Sequence, residues 1–408
     1  MGAGSLVELI ARGNQDIYII GNPQFSYFKS IYRRHTNFAI EPIRQIFNES
    51  PEFGRKVTCI IDKKADLLND ILLEIELPAL LPNISWTNGI GNFMIDWVEL
   101  QLGGEPIDRI SGELMDTWME LTTQLGTKNS VYNMVGKLPS FNCNSQTDAL
   151  KLLIPLPFWF CRSIERSLPL ISMQYTDVKI VIQFKNFDKC WYKNTGVDDP
   201  NYLPPANTNI VKAGLICNFV YLDVFERTKF AKQAQFEYII EQFQEANQYK
   251  ISEYTLNSNS RLFFNHPIKE LIWTYRTTAA ENANDYYNYA NIINYIEFNE
   301  IKTAPFDKIQ MTFNGNDRFE KLPETFFRLY QPYKRHSCGT NQYIYVYTFA
   351  LDPENIQPSG TCNFSKLDNV YLNLECIQNI QNGTLRIYAT NYNIMRIQNG
   401  MVGLAFSS

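Results

Sequence analysis

Histidine is scarce, with three in 408 residues (His35, His266 and His336), and no two lie close together in the sequence. Metal enzymes on β-scaffolds need imidazoles paired on a strand, so that chemistry has no ligands here and the histidines read as structural. The eight cysteines (59, 143, 161, 190, 217, 338, 362 and 376) form no C-x-x-C pair and no metal-type cluster. They read as buried, reduced thiols of a cytosolic protein. Long apolar runs are missing: none approaches the roughly 18 residues of a membrane span, and Leu152–Cys161 is broken by Pro155 and Pro157. Nothing at the start reads as a signal peptide. The opening Met-Gly-Ala-Gly-Ser-Leu has Leu6 where myristoylation wants Ser or Thr, so no lipid anchor is expected. There is no phosphate-cradling glycine loop, no G-x-S-x-G and no H-E-x-x-H. Charged residues are only 19% and the net charge is −5, which argues against neutralising a nucleic-acid backbone. No cofactor is expected.

What is abundant is aromatic and apolar surface: 14% aromatic, with Tyr 24 and Phe 27, inside 45% hydrophobic residues. A chain of 47.4 kDa is too long for one core, and two domains of about 200 residues each are the natural division. Few charges and many aromatics suit a β-rich protein that buries surface against neighbours.

Ser5-Leu-Val-Glu8 reads as a capping box before a short helix through Ala11, and Asp16–Ile20 as a strand or extended arm. Strands follow at Lys56–Asp62, Ile71–Leu77 and Phe93–Leu102, with Gly103-Gly104 closing a hairpin into Pro106–Ile110. Ser111–Leu125 carries Leu114, Trp118, Leu121 and Leu125 on one stripe, a helix. Leu152–Cys161, Tyr175–Phe184 and Leu215–Phe225 read as strands. Polar loops occupy Gly126–Asp148 and Asp188–Thr208. Glu226–Gln235, charged and turn-like, reads as the boundary. The second half offers strands at Arg261–Phe264, Ile268–Arg276, Tyr289–Phe298, Ile309–Phe313, Tyr343–Ala350, Val370–Cys376 and Leu385–Ile397. It adds a hairpin at Asn314-Gly315 and a helix around Glu324–Tyr330.

The halves repeat each other. VELQLGGEPIDRISGELMDTWMEL (98–121) parallels IQMTFNGNDRFEKLPETFFRLY (309–330): strand, tight turn, charged segment, helix with an aromatic face. PLPFWF (155–160) then answers YVYTFA (345–350), and residues 168–184 answer 356–375. Such a period implies tandem copies of one fold. Many short strands with long crossovers and little helix fit a jelly-roll sandwich of about eight strands per copy.

Arg33, Arg34 and His35 are the candidate site residues. They follow the apolar alternation of Phe25, Tyr27 and Ile31, and successive strand residues point to opposite faces. A sandwiched strand would bury one guanidinium, which then needs a carboxylate or carbonyl partner, in the core or in a neighbouring subunit. Lys334-Arg335-His336 reads as an internal ion pair or a subunit contact. Glu74 and Glu76 share a solvated strand face, and the tyrosines of Asp285–Tyr289 read as a loop packing its own rings. Sequons at Asn48, Asn83, Asn363 and Asn382 matter only in a secretory lumen.

GNPQFSYFKSIYRRHTNF (21–38) resembles the opening signature of the major capsid proteins of nucleocytoplasmic large DNA viruses. LPFWFCRSIERSLPLISMQYTDVKI (156–180) is similar to the segment closing that family's first barrel, and FNHPIKELIW (264–273) to the start of its second. FNGNDRFEKLPETFFRLYQPYKRHS (313–337), YVYTFALDPENIQPSGTCNFSKLDN (345–369) and YATNYNIMRIQNGMVGLAFS (388–407) resemble its C-terminal block.

The resemblance implies an all-β protein of two tandem eight-stranded antiparallel jelly rolls with short helical inserts. Residues 1–24 would be an N-terminal arm, 25–225 the first jelly roll and 226–408 the second. It implies a structural, non-enzymatic capsid protein forming homotrimers, six near-equivalent barrels that tile an icosahedral shell as pseudo-hexagons. Implied partners are neighbouring capsomers, minor capsid and penton proteins, and a membrane beneath the shell, without direct nucleic-acid binding. The place would be the virion, assembled in the host cytoplasm or a viral factory. Loops 126–148, 188–208 and 277–288 would be outer or lateral, and short for towers. A minor capsid or scaffold paralogue is the alternative within the class. A double jelly-roll carbohydrate-binding protein or glycan hydrolase is the alternative outside it, though no carboxylate pair serves a hydrolase.

Overall fold

Strand Leu67–Leu77 shows how alternation makes a sheet: Leu68, Ile71, Leu73, Ile75 and Leu77 are buried, and the residues between them are half-exposed. The computed structural model describes residues 3–80, 84–137, 149–193, 208–233, 235–293, 301–340 and 342–406. Asn83, Cys143 and most of the two polar loops lie outside them. The chain divides into two units, Met1–Asn37 and Phe38–Ser408.

In the larger unit, Leu67–Leu77 belongs to a four-stranded antiparallel sheet ordered Phe38–Gln45, Lys212–Leu222, Leu67–Leu77, Leu150–Pro155. A second four-stranded sheet, ordered Lys56–Ile60, Val178–Phe184, Ile95–Leu102, Glu105–Ser111, shares its apolar interior. With the strands counted along the chain, the two sheets run 1-8-3-6 and 2-7-4-5. The second half repeats both orders. One sheet runs Gln235–Glu245, Gly383–Gln398, Pro267–Thr277, Ile344–Thr348, and the other Asn257–Leu262, Val370–Cys376, Phe306–Phe313, Asn316–Pro323. Each half is a jelly roll.

The register carries the repeat further than the strand order. The third strand of each half has one residue too many for its partner: Asn69 opposite Asn218/Phe219, and Lys269 opposite Thr390/Asn391. The fourth strands bulge alike at Asp96 and Asp307, and the fifth at Ile107 and Arg318. A bulge shifts the alternation and re-aims a side chain, so its recurrence at matched positions is a structural signature of duplication.

The expected helix after the fifth strand is present in both halves, as Gly112–Thr122 and as a run from Glu324 through Phe326–Tyr330 and Gln331–Arg335. Ser111 caps the former, accepting from the Leu114 amide at 3.4 Å. Several details differ from expectation. Leu150–Pro155 is the strand where Leu152–Cys161 was expected, because Pro155 and Pro157 end it and Trp159–Cys161 coils into a 3₁₀ turn. Leu125–Val135 is helical where a loop was expected, and ends at Gly136 in the left-handed region (φ 69°). The turn-like boundary is a helix, Val224–Lys232, with Asp223 accepting from the Val224 amide at 2.8 Å. In the expected strand Tyr289–Phe298 only Asn291–Ile293 is strand within the described residues. The opening strands of both barrels, Phe38–Gln45 and Gln235–Glu245, were not foreseen.

Unit Met1–Asn37 holds helix Ala3–Ile10 and one helical turn, Ile17–Ile20. The first begins before Ser5, so Ser5 and Glu8 lie inside it and do not form the expected capping box. Asp16–Ile20 is not a strand, and neither is any part of 21–37. Extended backbone needs a ladder partner, and residues 21–37 enter no sheet of this chain.

Candidate assembly site

The second barrel is held to the first by a polar joint built from the first sheet of the second half. Strand Pro267–Thr277 is buried along nearly its whole length, not on alternate residues. Ile268, Leu271, Trp273 and Tyr275 fill the second core, whereas Ile272 packs with the first. The bulge at Lys269 puts an ammonium on the joint side, where its Nζ donates to Glu241 Oε2 at 2.7 Å. Arg162 and Arg166 of the first barrel donate to the same carboxylate at 2.6 and 2.7 Å. Burial alone would push the Glu241 carboxyl up, but Lys269, Arg162 and Arg166 outweigh it and hold it at about 2.

Glu113, in the helix after the fifth strand, is a second node. Arg276 Nη1 lies 3.1 Å, Arg386 Nε 2.9 Å and Lys185 Nζ 3.8 Å from its carboxylate. Against the cost of burial, these cations hold its carboxyl at about 2. A third node lies under the tyrosine loop. Lys137 Nζ sits between Asp116 Oδ1 at 2.7 Å and Glu120 Oε1 at 2.8 Å, and 3.6 Å from the centre of the Tyr287 ring. Tyr289 donates to Asp116 at 3.2 Å. The apolar part of the joint is Trp118 edge-on to Phe243, ring centres 5.4 Å apart. The Phe243 amide donates to Asp108 at 3.0 Å, and the amides of Tyr175 and Val402 clasp the C-terminal hairpin to the first barrel through Gly400 and Thr176. A joint with this many buried charges is rigid, because any shear leaves an ion without its partner.

In the tyrosine loop Tyr287 and Tyr289 pack on each other as expected, and Tyr286 also stacks on Phe93 of the first barrel at 5.3 Å, so the loop takes part in the joint. His336 of the basic run is an internal ion pair, with Nδ1 3.0 Å from Glu354 and Nε2 3.3 Å from Glu270. Although burial lowers a histidine, these carboxylates raise it to about 9. Glu74 and Glu76 lie on a partly exposed face beside Arg44 and Lys151.

Arg33, Arg34 and His35 are exposed, and His35 Nδ1 lies 2.7 Å from the Thr36 carbonyl. The same unit leaves Tyr18 93% and Phe28 100% exposed. Sequence reasoning missed the joint, although Arg162, Arg166 and Glu241 stand in plain view. Pairing them needs the spatial order of strands far apart in the chain.

No group of His, Cys, Asp and Glu among the described residues is arranged to hold a metal ion. A cleft of about 440 Å³ runs along the joint beside Trp97, Arg109, Glu113 and Arg386, and the Glu113 and Arg386 charges are already paired to each other. No described helix is long and apolar enough to cross a membrane.

Residues 26–223 match the family model for the major capsid protein N-terminus, and 226–403 that for large eukaryotic DNA virus major capsid protein. The chain is 35% identical to the major capsid protein of Pyramimonas orientalis virus, covering 99% of this chain and 100% of that one. It is 33% identical to the major capsid protein of Paramecium bursaria Chlorella virus 1, over the whole of both. The crystal structure of PBCV-1 VP54, fitted into a reconstruction of the virophage Sputnik, superposes with a TM-score of 0.80 at 30% identity, covering 94% of this chain and 100% of that one. The Faustovirus major capsid protein shares the fold, with a TM-score of 0.77 at 11% identity. The chain belongs to the major capsid protein family of large eukaryotic DNA viruses, and is a structural component of the virion.

Proposed function

We propose that this chain assembles as a homotrimer, a pseudo-hexagonal capsomer of six barrels that tiles an icosahedral shell, and that its work is assembly, not catalysis. The observation that carries this reading is the repeated register: two barrels with the same strand order and the same bulges present near-equivalent edges. Three chains can then make a sixfold outline with only a threefold interface. The rigid joint supports it too, because a hexagon needs a fixed angle between the barrels.

In this reading the arm ends near Asn37, where sequence alone suggested residue 24, and the barrels meet at helix Val224–Lys232. The exposed apolar side chains of the arm, with Arg33, Arg34 and His35, serve contacts between chains or with minor capsid proteins, penton proteins or a membrane under the shell. Assembly takes place in the host cytoplasm or a viral factory, without direct nucleic-acid binding. Light scattering on the purified protein at micromolar concentration tests the reading. A particle of three chains is expected, and a stable monomer contradicts it.

A further inference from the structure

The buried node under the tyrosine loop holds more chemistry than an ion pair needs. Asp116 and Glu120 lie one turn apart on helix Gly112–Thr122, so both carboxylates leave the same face. Lys137 follows Gly136, and its amide donates to the Tyr132 carbonyl at 2.8 Å, closing helix Leu125–Val135. The side chains of Lys137, Asp116 and Glu120 are 0, 0 and 1% exposed. The Tyr287 and Tyr132 rings wall the ammonium, with centres 3.6 and 5.4 Å from Nζ. Lys128 Nζ lies 2.8 Å from the other oxygen of Glu120, so two cations face two carboxylates and the cluster is neutral.

We infer that Lys137 and Asp116 condense into an isopeptide bond, an amide between Nζ and Cγ, with Glu120 carrying the proton and one water released. The reactants are already in place. Nζ stands 2.7 Å from Oδ1, which brings it within reach of Cγ, near-attack separations being roughly 3–3.5 Å. In bulk water an ammonium and a carboxylate stay apart, because each is well solvated and water drives hydrolysis. This site excludes water, and condensation replaces two buried opposite charges by one neutral amide, which is cheaper to bury.

The protonation states suit each role. Burial pushes the Asp116 carboxyl up, toward the neutral form that an amine can attack. Burial would also raise Glu120, but Lys137 and Lys128 hold it low, in the form of a base. Although burial lowers the Lys137 amine, Asp116 and Glu120 raise it, so its protons must be handed on, and both acceptors touch it. Lys137 passes one proton to Asp116 Oδ1, leaving a neutral amine and a neutral carboxylic acid. The nitrogen lone pair attacks Cγ, and the carbonyl pair moves onto Oδ2, where the Tyr289 hydroxyl donates at 3.2 Å. Glu120 Oε1, 2.8 Å from Nζ, takes a proton from the attacking nitrogen and returns it to Oδ1. The Cγ–Oδ1 bond then breaks and water leaves. Glu120 ends as it began, still paired to Lys128 and accepting from the Tyr132 hydroxyl at 2.7 Å, so losing the Lys137 charge orphans nothing. The bond ties helix Leu125–Val135, which buries only Tyr132 and Val135, to the helix that faces the joint.

The intact mass of the purified full-length chain tests the bond. Wild type is expected to be one water lighter than its sequence. Trypsin under denaturing conditions should then give a branched peptide joining 116 and 137, in place of cleavage after Lys137. Lys137→Arg and Glu120→Gln are expected at their full sequence masses. A wild-type chain of full mass, cleaved after Lys137 and giving no branched peptide, overturns the bond, whether or not either variant folds. A lost water that persists in K137R arises elsewhere in the chain and overturns it too. An E120Q chain that condenses as wild type does overturns the part given to Glu120.

Discussion

Strands Leu67–Leu77 and Pro267–Thr277 occupy the same place in two copies of one fold, carry the same bulge, and are buried differently. The first alternates; the second is covered on both faces. What differs is the neighbour. Behind Pro267–Thr277 stands the first barrel, and the strand meets it with Lys269, 5.7 Å from the centre of the Trp118 ring, and with Arg276, paired to Glu113. Behind Leu67–Leu77 this chain has no barrel, and the strand shows Glu74 and Glu76. The inner faces follow the fold and the outer faces follow the assembly.

The largest effect that separates the two is expected at Glu241. Glu241→Ala leaves Lys269, Arg162 and Arg166 facing each other in a buried site, and should cost about 3–5 kcal/mol in denaturant unfolding. Ile40→Ala, at the matching position of the open sheet, should change the unfolding of the single chain by less than about 1 kcal/mol. On the inner faces the difference should vanish. Ile71 and Leu271, each two residues past the matched bulge, are both fully buried in their cores, and truncating either to Ala should cost about 2–5 kcal/mol. A large inequality there would mean that the barrels are less alike inside than their registers are.

The pH dependence should come from the second barrel and the joint. His336 is raised from 6.5 to about 9 by Glu270 and Glu354, so its contribution is complete below 6.5 and is lost as pH rises through 9. Glu241 and Glu113 are depressed from 4.5 to about 2, so theirs is complete above 4.5 and is lost as pH falls through 2. Thermal unfolding from pH 6.5 to 9 should show falling stability in wild type; Asp108, which burial raises to about 7, contributes near the lower end, and His336→Gln should remove the fall that continues toward pH 9. A slope left unchanged in the variant would place its source elsewhere. The smallest effect belongs to the open face: Glu74→Gln breaks a pair with an exposed Arg44 and should cost under about 1 kcal/mol, less still in high salt.

Much of this was legible in the amino-acid sequence, because alternation is local. Val178, Ile180, Ile182 and Phe184 announce their strand, and Leu114, Trp118 and Leu121 their helix. The Gly103-Gly104 and Asn314-Gly315 turns mark the repeat, with φ of 62°, 90°, 49° and 83° that the left-handed region requires. What could not be read was long-range. Gln235–Glu245 carries three glutamines and three glutamates and looks like a charged linker, yet Glu241 is buried because three cations from distant segments converge on it. The segment before Arg33 and Arg34 misled for the opposite reason. The alternation of Phe25, Tyr27 and Ile31 suggested a sandwiched strand, but residues 21–37 are not strand.

A density map of the purified oligomer bears most directly on the reading that two barrels with one register build a sixfold outline from three chains. Three copies around a threefold axis, with six barrels at near-equal spacing, are expected. A particle of one or two chains, or one whose barrels stand at unequal spacing, would contradict it.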